Sequence, residues 1–263
     1  MSWRSPIDAD TIRAEAGERW ARVVVVEQTG SSNADLLADG DAPDRSVLVA
    51  ELQVAGRGRL DRQWISPAGA GLTFSVLLRP AVAVMAWGWL PLLAGVALHN
   101  AVMDTGVSVT LKWPNDLLAD GGPHSGRKLA GILAQASGEA VVIGIGLNVS
   151  NAEHELATQV ATSLALCGAG ETDRNLLLAE ILRKLDARLA RWSRASGDAD
   201  ACGLAAAYRD SCATIGQHVA VTTGDSVIRG RAVGVDESGR LVLDVAGVRQ
   251  VIGAGDVEHV RPA

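Results

Sequence analysis

Cysteine is scarce in this sequence, and its spacing argues against two common uses of the residue. The 263 residues contain three cysteines, Cys167, Cys202 and Cys212, which are odd in number and far apart. Such a set does not resemble the framework of a small disulfide-stabilised protein, and it predicts reduced thiols in a cytoplasm. No pair of cysteine or histidine residues has the spacing of a zinc site.

The sequence also lacks the features that direct a chain to a membrane or to nucleic acid. Residues 1–22 contain no apolar run of signal-peptide length. We find no stretch near the ~20 apolar residues that a spanning helix needs. A net charge of -6 argues against a general nucleic-acid binder. We therefore expect neither a membrane nor DNA as a partner.

The composition that remains is that of an ordinary globular protein, 48% hydrophobic and 21% charged. A chain of 263 residues can form one large domain, or a large and a small one. Apolar runs predict strands at 23–26, 46–50, 71–80, 107–112, 129–134 and 140–147. Helical periodicity predicts helices at 8–18, 87–104, 173–194 and 201–211.

The composition changes near Ile215, where short β-like runs begin to alternate with turns. These runs lie at 218–222, 227–235, 241–245 and 249–252. They predict a small all-β barrel, residues 215–263, beside a main domain of residues 1–214. A unit of this size has little core of its own, so we expect it to pack on the main domain.

The loop Gly56-Arg57-Gly58-Arg59 follows the strand predicted at 46–50. Glycines allow backbone amides to turn inward and approach an anion. Arginine forks, here also Arg62, suit carboxylate and phosphate groups. The loop therefore fits a ligand that carries both an acid and a phosphate. The alternatives are a flexible, solvated basic loop or part of a nucleic-acid contact.

Two lysines stand at the ends of predicted strands and reinforce this interpretation. Lys112 ends the run 107–112, and Lys128 precedes the run 129–134. If both face the arginine loop, like charges converge, which is unfavourable without a partner of opposite charge. The missing partner would be an anion. The alternative is that both are ordinary surface lysines and that Asp116 caps a turn.

Smaller polar and glycine positions have two interpretations each. Ser32 and Asn33 precede a short helical run and either cap it or bind a polar ligand there. Gly144 and Gly146 permit the close approach of a backbone or a ligand. Trp64 is either a core residue or an aromatic cover beside the basic loop.

Taken together, four motifs resemble those of biotin–protein ligases, in the order found in that family. They are Gln53 with Gly56-Arg57-Gly58-Arg59 and Trp64, Lys112-Trp113-Pro114-Asn115-Asp116, Arg127-Lys128-Leu129-Ala130-Gly131, and Gly144-Ile145-Gly146-Leu147-Asn148. Gly253-Ala254-Gly255-Asp256-Val257 resembles the closing motif of the family. Ser32 stands where the family usually has threonine.

The resemblance implies an α+β fold: a mixed sheet backed by helices, related to class II aminoacyl-tRNA synthetases, plus a small C-terminal all-β barrel. Because the motifs begin near Val23, it also implies the monofunctional class without an N-terminal DNA-binding domain. The implied reaction joins biotin to ATP, giving biotinyl-5′-AMP and pyrophosphate. The biotin then passes to a lysine of the biotin carboxyl carrier domain of an acyl-CoA or pyruvate carboxylase.

Site roles follow from the resemblance, residue by residue. The implied catalytic residues are Lys128, Arg57, Lys112 and Asp116. The implied biotin-binding residues are Ser31, Ser32, Asn33, Gln53, Gly56, Arg57, Gly58, Arg59, Trp64, Lys128 and Gly131. The implied ATP and adenylate contacts are Arg59, Arg62, Trp64, Lys112, Asn115 and Asn148. ATP and Mg²⁺ are implied as cofactors, and no side chain is assigned as a metal ligand.

Two rival functions remain at this point. A lipoate–protein ligase shares the fold and the chemistry, although the full set of motifs favours biotin. A non-catalytic biotin sensor would act through partner contacts, although the presence of both lysines argues against it. The resemblance also implies that the segment from the Gly56-Arg57-Gly58-Arg59 turn to the strand predicted at 71–80 is mobile until biotin binds.

Overall fold

The computed structural model describes residues 4–60 and 62–260 of the chain. Its larger part is built on a seven-stranded sheet with the order β1-β2-β3-β7-β6-β5-β4. The strands are β1 Arg22–Thr29, β2 Ser46–Gln53, β3 Gly71–Leu78, β4 Val109–Lys112, β5 Asp116–Ala119, β6 Lys128–Ser137 and β7 Ala140–Asn148. β1 and β2 are parallel, and every other neighbouring pair is antiparallel.

Helices cover the two faces of this sheet unequally. They are α1 Ala9–Ala16, α2 Ser32–Ala38, α3 Leu90–Met103, α4 Arg174–Arg194 and α5 Leu204–Ser211. The main hydrophobic core contains α1, α3 and α4 packed against one face of the sheet. A much smaller cluster, around Leu36 of α2 with Leu48 and Leu77, lies on the other face. That second face is therefore only partly covered.

The helix α3 corrects one expectation. Val84–Met103 is 20 residues long and has a mean hydropathy of 1.2, so by length and composition it could cross a membrane. In the fold this segment is a short 3-10 turn, Val84–Trp89, followed by α3. Ten residues of α3 are buried, because it lies between the sheet and α4. Burial inside the core accounts for its apolar composition without a bilayer.

The predicted all-β unit is a five-stranded antiparallel sheet with the order β11-β10-β9-β8-β12. Its strands are β8 His218–Thr223, β9 Ser226–Val235, β10 Leu241–Val245, β11 Val248–Ile252 and β12 Asp256–His259. Its core joins the main core directly. The indole nitrogens of Trp89 and Trp113 donate to the backbone oxygens of Glu237 and Gly239, at 2.8 and 3.3 Å. The expected packing on the main domain is confirmed, and the boundary at residue 215 stays a prediction.

Two strands were missed, and both help to form the site described below. β5 and β12 each contain four residues, too few to display a clear periodicity. Each is defined by pairing with its neighbours: β5 lies between β4 and β6, and β12 pairs with β8. Asp116 and Asp256 therefore begin strands, although the sequence suggested a turn and a terminal motif.

Candidate active site

A cleft of 640 Å³ opens on the sparsely covered face of the large sheet. Its floor is a row of residues that lie directly opposite one another in β4, β5, β6, β7 and β3. The row runs Lys112, Asp116, Gly131, Gly146 and Thr73. Because paired residues on neighbouring strands point to the same side of a sheet, the register places charged groups at one end and bare backbone in the middle.

Glycines form the middle of the floor because other residues lie directly on it. A Cβ atom at Gly146 would stand 2.2 Å from Cε2 of Trp64, and one at Gly144 would stand 2.3 Å from Oδ1 of Asn33. Both distances are far inside van der Waals contact. The indole of Trp64 therefore rests on the sheet itself, and its buried Nε1 has no hydrogen-bond partner within the described ranges.

One end of the cleft is a connected network of neutral polar side chains. Both the backbone nitrogen and Oγ of Ser32 donate to Oε1 of Gln53, at 2.7 and 2.9 Å. Oγ of Ser75 lies 2.7 Å from Oγ of Ser32 and donates to Oδ1 of Asn33 at 2.6 Å. Nδ2 of Asn33 donates to Oε1 of Gln135 at 2.8 Å. These groups hold each other in one arrangement.

This network bears on the capping interpretation of Ser32 and Asn33. The residue before α2 is Ser31, in an extended conformation and without a side-chain cap, and Ser32 is already the first helical residue. The capping interpretation of Ser32 and Asn33 is therefore wrong. Their side chains point across the sheet to β3 and β6 instead.

The glycine-arginine loop is a hairpin, Gly56–Trp64. Trp64 N donates to Gly56 O at 3.0 Å, and Gly58 N donates to Arg62 O at 2.6 Å. The amide of Gly58 is therefore used inside the hairpin, which contradicts the expectation that it turns toward an anion. Gly56 is required by the opposite strand, since a Cβ there would stand 2.4 Å from Trp64 O. Asp61, within the segment expected to be mobile, lies outside the described residues.

Three arginines of the hairpin line the cleft, and the charges of nearby carboxylates act on two of them. Arg57, Arg59 and Arg62 all border it. Burial lowers the pKa of Arg59, while the charges of Asp116 and Asp256 act in the opposite direction. Arg62 forms an ion pair with Asp256, and that hydrogen bond raises the pKa of Arg62.

Both lysines lie at the charged end of the floor. Lys128 Nζ is 2.6 Å from Oδ1 of Asp116 and 6.0 Å from the centre of the Trp64 ring. Lys112 lies opposite Asp116 in the register. Its charge also acts on His259. Burial lowers the pKa of His259, and the charge of Lys112 lowers it further. Lysines, arginines and carboxylates thus share one cleft, as expected of a site for an anionic ligand.

Two asparagines of the motifs hold the framework around this charge. Nδ2 of Asn115 donates to Ile132 O at 2.9 Å, and Nδ2 of Asn148 donates to Thr162 O at 2.9 Å. The second bond ties β7 to a segment that also pairs with β6, since Lys128 N donates to Val160 O at 2.8 Å. Each Nδ2 carries two hydrogens, so a ligand contact by these asparagines can use Oδ1 or the second Nδ2 hydrogen.

Comparison with known proteins identifies the family. A model described as the biotin/lipoate A/B protein ligase family matches residues 21–149, and one for the biotin protein ligase C terminal domain matches residues 214–260. A biotin–[acetyl-CoA-carboxylase] ligase of Mycobacterium tuberculosis is 44% identical, over 98% of this chain and 97% of that protein. The chain belongs to the biotin protein ligase family.

Further members of the biotin protein ligase family agree in sequence and in fold. A biotin–[acetyl-CoA-carboxylase] ligase of Paracoccus denitrificans is 33% identical, over 89% of this chain and 98% of that protein. The solved biotin protein ligase of Aquifex aeolicus in complex with biotin and ATP is 26% identical. The structural match covers 92% of this chain and all of the Aquifex chain, with a TM-score of 0.75. The α+β fold that the motifs implied is thereby confirmed.

The structure brings nearly all of the residues implied by the ligase resemblance into one place. Gly56 does not border the cleft. The residues that do border it are Ser31, Ser32, Asn33, Gln53, Arg57, Gly58, Arg59, Arg62, Trp64, Lys112, Asn115, Asp116, Lys128, Gly131 and Asn148.

Sequence reasoning missed three side chains that take part in this arrangement. Ser75 and Gln135 belong to the polar network, and Asp256 pairs with Arg62. A signal existed for Ser75, because Thr73 and Ser75 alternate with apolar residues along one strand and so share a face. Asp256 was noted as part of the closing motif, but its pairing gave no local signal, since Arg62 lies 194 positions away.

Proposed function

We propose that this protein is a biotin–protein ligase. It activates biotin with ATP to biotinyl-5′-AMP and pyrophosphate, and it then transfers the biotin to a lysine of a biotin carboxyl carrier domain. The close relatives described above are ligases for acetyl-CoA carboxylase, and a solved family member binds biotin and ATP. The carrier domain and its carboxylase are inferred from this relationship.

The observation that carries the proposal is that one cleft contains a neutral polar region and a positively charged region. A neutral polar network, centred on Ser32 and Gln53, lies at one end, and the cations lie at the other. Biotin has the same division: a ureido ring with hydrogen-bonding groups, and a carboxylate at the end of an aliphatic chain. The glycine floor and the indole of Trp64 offer an apolar passage between the two.

In the first step, a carboxylate oxygen of biotin attacks the α-phosphorus of ATP, and pyrophosphate leaves. Both reactants are anions, so their approach requires positive charge placed beforehand. We assign this role to Arg57, Arg59, Lys112 and Lys128, which border the cleft together. Lys128 pairs with Asp116, and it would exchange that partner for the ligand carboxylate or phosphate.

In the second step, the amine of the carrier lysine attacks the carbonyl carbon of the mixed anhydride, and AMP leaves. The amine must first lose a proton, and Asp116 is the carboxylate on the cleft floor that we propose to assist. The adenylate half is proposed to contact Arg59, Arg62, Trp64 and Lys112. Asn115 and Asn148 would contribute Oδ1 or the second Nδ2 hydrogen, because the first already donates to the backbone.

Magnesium belongs to this proposal as a part of the substrate. Across residues 4–60 and 62–260, no group of three or more His, Cys, Asp or Glu side chains is placed to bind a metal ion. Mg²⁺ commonly binds through substrate phosphates and retains several waters. We therefore propose that it enters as the MgATP complex.

A cytoplasmic location is part of the same proposal. Cys167, Cys202 and Cys212 carry free thiols, as is usual in a reducing compartment. ATP and carboxylase substrates are available there.

Lipoate is the second candidate, and the polar network argues against it. The dithiolane ring of lipoate carries no hydrogen-bonding nitrogen or oxygen. It would form no hydrogen bond with Ser32, Asn33 or Gln53, so the network would contribute no affinity for lipoate. The same network suits a ureido ring.

The decisive experiment combines two assays on the full chain. The first assay measures pyrophosphate release with ATP and either biotin or lipoate. The second measures transfer of labelled biotin by the protein to a purified carrier domain. We expect pyrophosphate and transfer with biotin alone. A biotin sensor would bind the vitamin but release no pyrophosphate, and a lipoate ligase would reverse the substrate preference.

A further inference from the structure

The Gly56–Trp64 hairpin touches the C-terminal sheet at its tip. Arg62 forms an ion pair with Asp256, the first residue of β12, with Nη1 also 3.4 Å from Oδ1. Arg59 Nη2 donates to the backbone oxygen of Gly255 at 3.3 Å. Two arginines of one cleft loop are therefore held by two adjacent residues of another sheet.

The C-terminal side of this contact is fixed in place by its own packing. β12 pairs with β8, with Asp256 opposite Thr222. Gly255 lies so close to β8 that an added Cβ would stand 2.6 Å from Cγ1 of Val221. Val257, the next residue, is buried in the main core. The carboxylate of Asp256 is thus presented from a rigid strand to a hairpin that carries glycines and charges.

The electrostatics explain why a carboxylate is needed there. Arg59 and Arg62 repel each other, and the half-buried Arg59 also loses hydration. Asp116 and Asp256 both attract the two guanidinium groups, but Asp116 pairs with Lys128, whereas Asp256 forms its ion pair with Arg62 of the hairpin. Without the negative charge of Asp256, less of the positive charge of Arg59 and Arg62 would be neutralised. The hairpin tip would then separate from β12.

We propose that Asp256 is a positioning residue that clasps the Gly56–Trp64 hairpin onto the C-terminal sheet and so controls how long the adenylate stays in the cleft. This inference rests on the proposed function. It assigns to the C-terminal sheet a specific part in the reaction: β12 determines whether the hairpin remains over the bound intermediate.

The test compares Asp256→Asn with Asp225→Asn, which removes the same charge from an exposed turn of the same sheet. Escape of biotinyl-AMP is measured by dilution into a scavenging amine. Hairpin opening is measured with a protease that cuts before Leu60 and Ile65, which are 65% and 59% exposed. For a partly exposed ion pair we expect about two- to fivefold faster escape and cleavage in Asp256→Asn. Asp225→Asn should match the wild type.

Two further measurements separate a clasp from a general structural effect. Raising the salt concentration should speed escape in the wild type and have less effect in Asp256→Asn, because salt screens the pair that the variant lacks. The double variant Arg62→Asp with Asp256→Arg should recover part of the protease protection. Escape and cleavage at the wild-type level in Asp256→Asn would overturn the proposal, as would a lower thermal stability that accounts for both changes.

Failure of the proposed function would be distinct from failure of the clasp. If the wild type releases no pyrophosphate with biotin and ATP, the ligase function fails, while hairpin cleavage still reports on the clasp. If the wild type is active and Asp256→Asn behaves like Asp225→Asn in both assays, the clasp alone is rejected.

Discussion

The two faces of the strands β3, β6 and β7 differ in almost every physical respect. The face toward α3 and α4 carries large buried side chains, including Phe74, Val76 and Ile143. The opposite face carries Ser75 and Gly144 in the same strands, directly opposite each other. Alternation along a strand makes this possible, because successive residues point to opposite sides. One face supplies stability, and the other gives up packing to leave room for a ligand.

The difference is visible at two adjacent residues, Ile143 and Gly144. Ile143 is fully buried in the main core, whereas Gly144 leaves space that Asn33 enters. A substitution at Ile143 should lower the free energy of unfolding, and a substitution at Gly144 should weaken ligand binding. Each prediction below tests this division, from the largest expected effect to the smallest.

Ile143→Ala should give the largest change, and in stability. Removing a fully buried isoleucine costs about 2–5 kcal/mol through lost burial and a remaining cavity. Thermal or urea unfolding measures the loss. The fraction that stays folded should bind biotin with the affinity of the wild type. If binding weakens while stability is unchanged, the two faces do not divide their roles in this way.

Lys128→Ala should give a large change in activity with little change in stability. The residue lies at the start of β6 beside Asp116, at the edge of the cleft and outside the core. Removing a preorganised charge that stabilises the transition state costs about 2–4 kcal/mol, or about 30- to 1000-fold in adenylate formation. Pyrophosphate release measures it.

Lys184→Ala is the matched control for Lys128→Ala. It removes a lysine that is also paired with carboxylates, Asp104 and Glu180, but on the surface of α4. We expect it to retain full activity. A folded Lys128→Ala protein that still releases pyrophosphate normally would remove Lys128 from the mechanism.

The helix-facing side was more predictable from the sequence than the cleft. The run 140–147 predicted a strand that the structure places at Ala140–Asn148, and the helix predicted at 173–194 is α4, Arg174–Arg194. Hydrophobic periodicity is a local property, so it can be read from neighbouring residues. The motif residues near Lys112 and Lys128 could also be placed at strand ends.

Register and contacts between distant segments could not be predicted. The cleft floor depends on Lys112, Asp116, Gly131 and Gly146 lying opposite one another, which is set by strand pairing across four strands. The amide of Gly58 was expected to face a ligand, yet it donates to Arg62 O and closes a hairpin. The residues of this hairpin show no strand periodicity in the sequence. Side-chain partners such as Gln135 for Asn33 follow only after that pairing is known.

Gly144→Ala should have a smaller effect than Lys128→Ala, and it should act on binding. The new methyl group would collide with Asn33 and disturb its bonds to Ser75 and Gln135. Overpacking of this kind costs about 1–3 kcal/mol. We expect weaker biotin binding in calorimetry with nearly unchanged ATP affinity. Gly234→Ala is the matched control, because a Cβ atom there would have open space around it. Gly138→Ala is unsuitable, because the φ of Gly138 is positive.

Arg59→Gly should have the smallest energetic effect, on the covering hairpin. The variant loses the bond to Gly255 and gains backbone freedom, which adds roughly 0.5–1 kcal/mol to the cost of ordering the hairpin. Each ~1.4 kcal/mol of lost contact speeds ligand escape tenfold when association is unchanged. Biotinyl-AMP should still form, because Arg57, Lys112 and Lys128 keep positive charge in the cleft, but it should escape and label unrelated lysines.

Biotinylation of albumin, mixed with enzyme, biotin and ATP, measures this escape. Arg59→Ala is the matched variant, because it loses the same donors without gaining the freedom of glycine. We therefore expect bystander labelling to rise from wild type to Arg59→Ala and again to Arg59→Gly. If labelling stays at the wild-type level in both variants while pyrophosphate is still released, Arg59 does not retain the intermediate. Retention would then depend on the glycine floor and the backbone of the hairpin, and the two faces of the sheet would suffice without a cover.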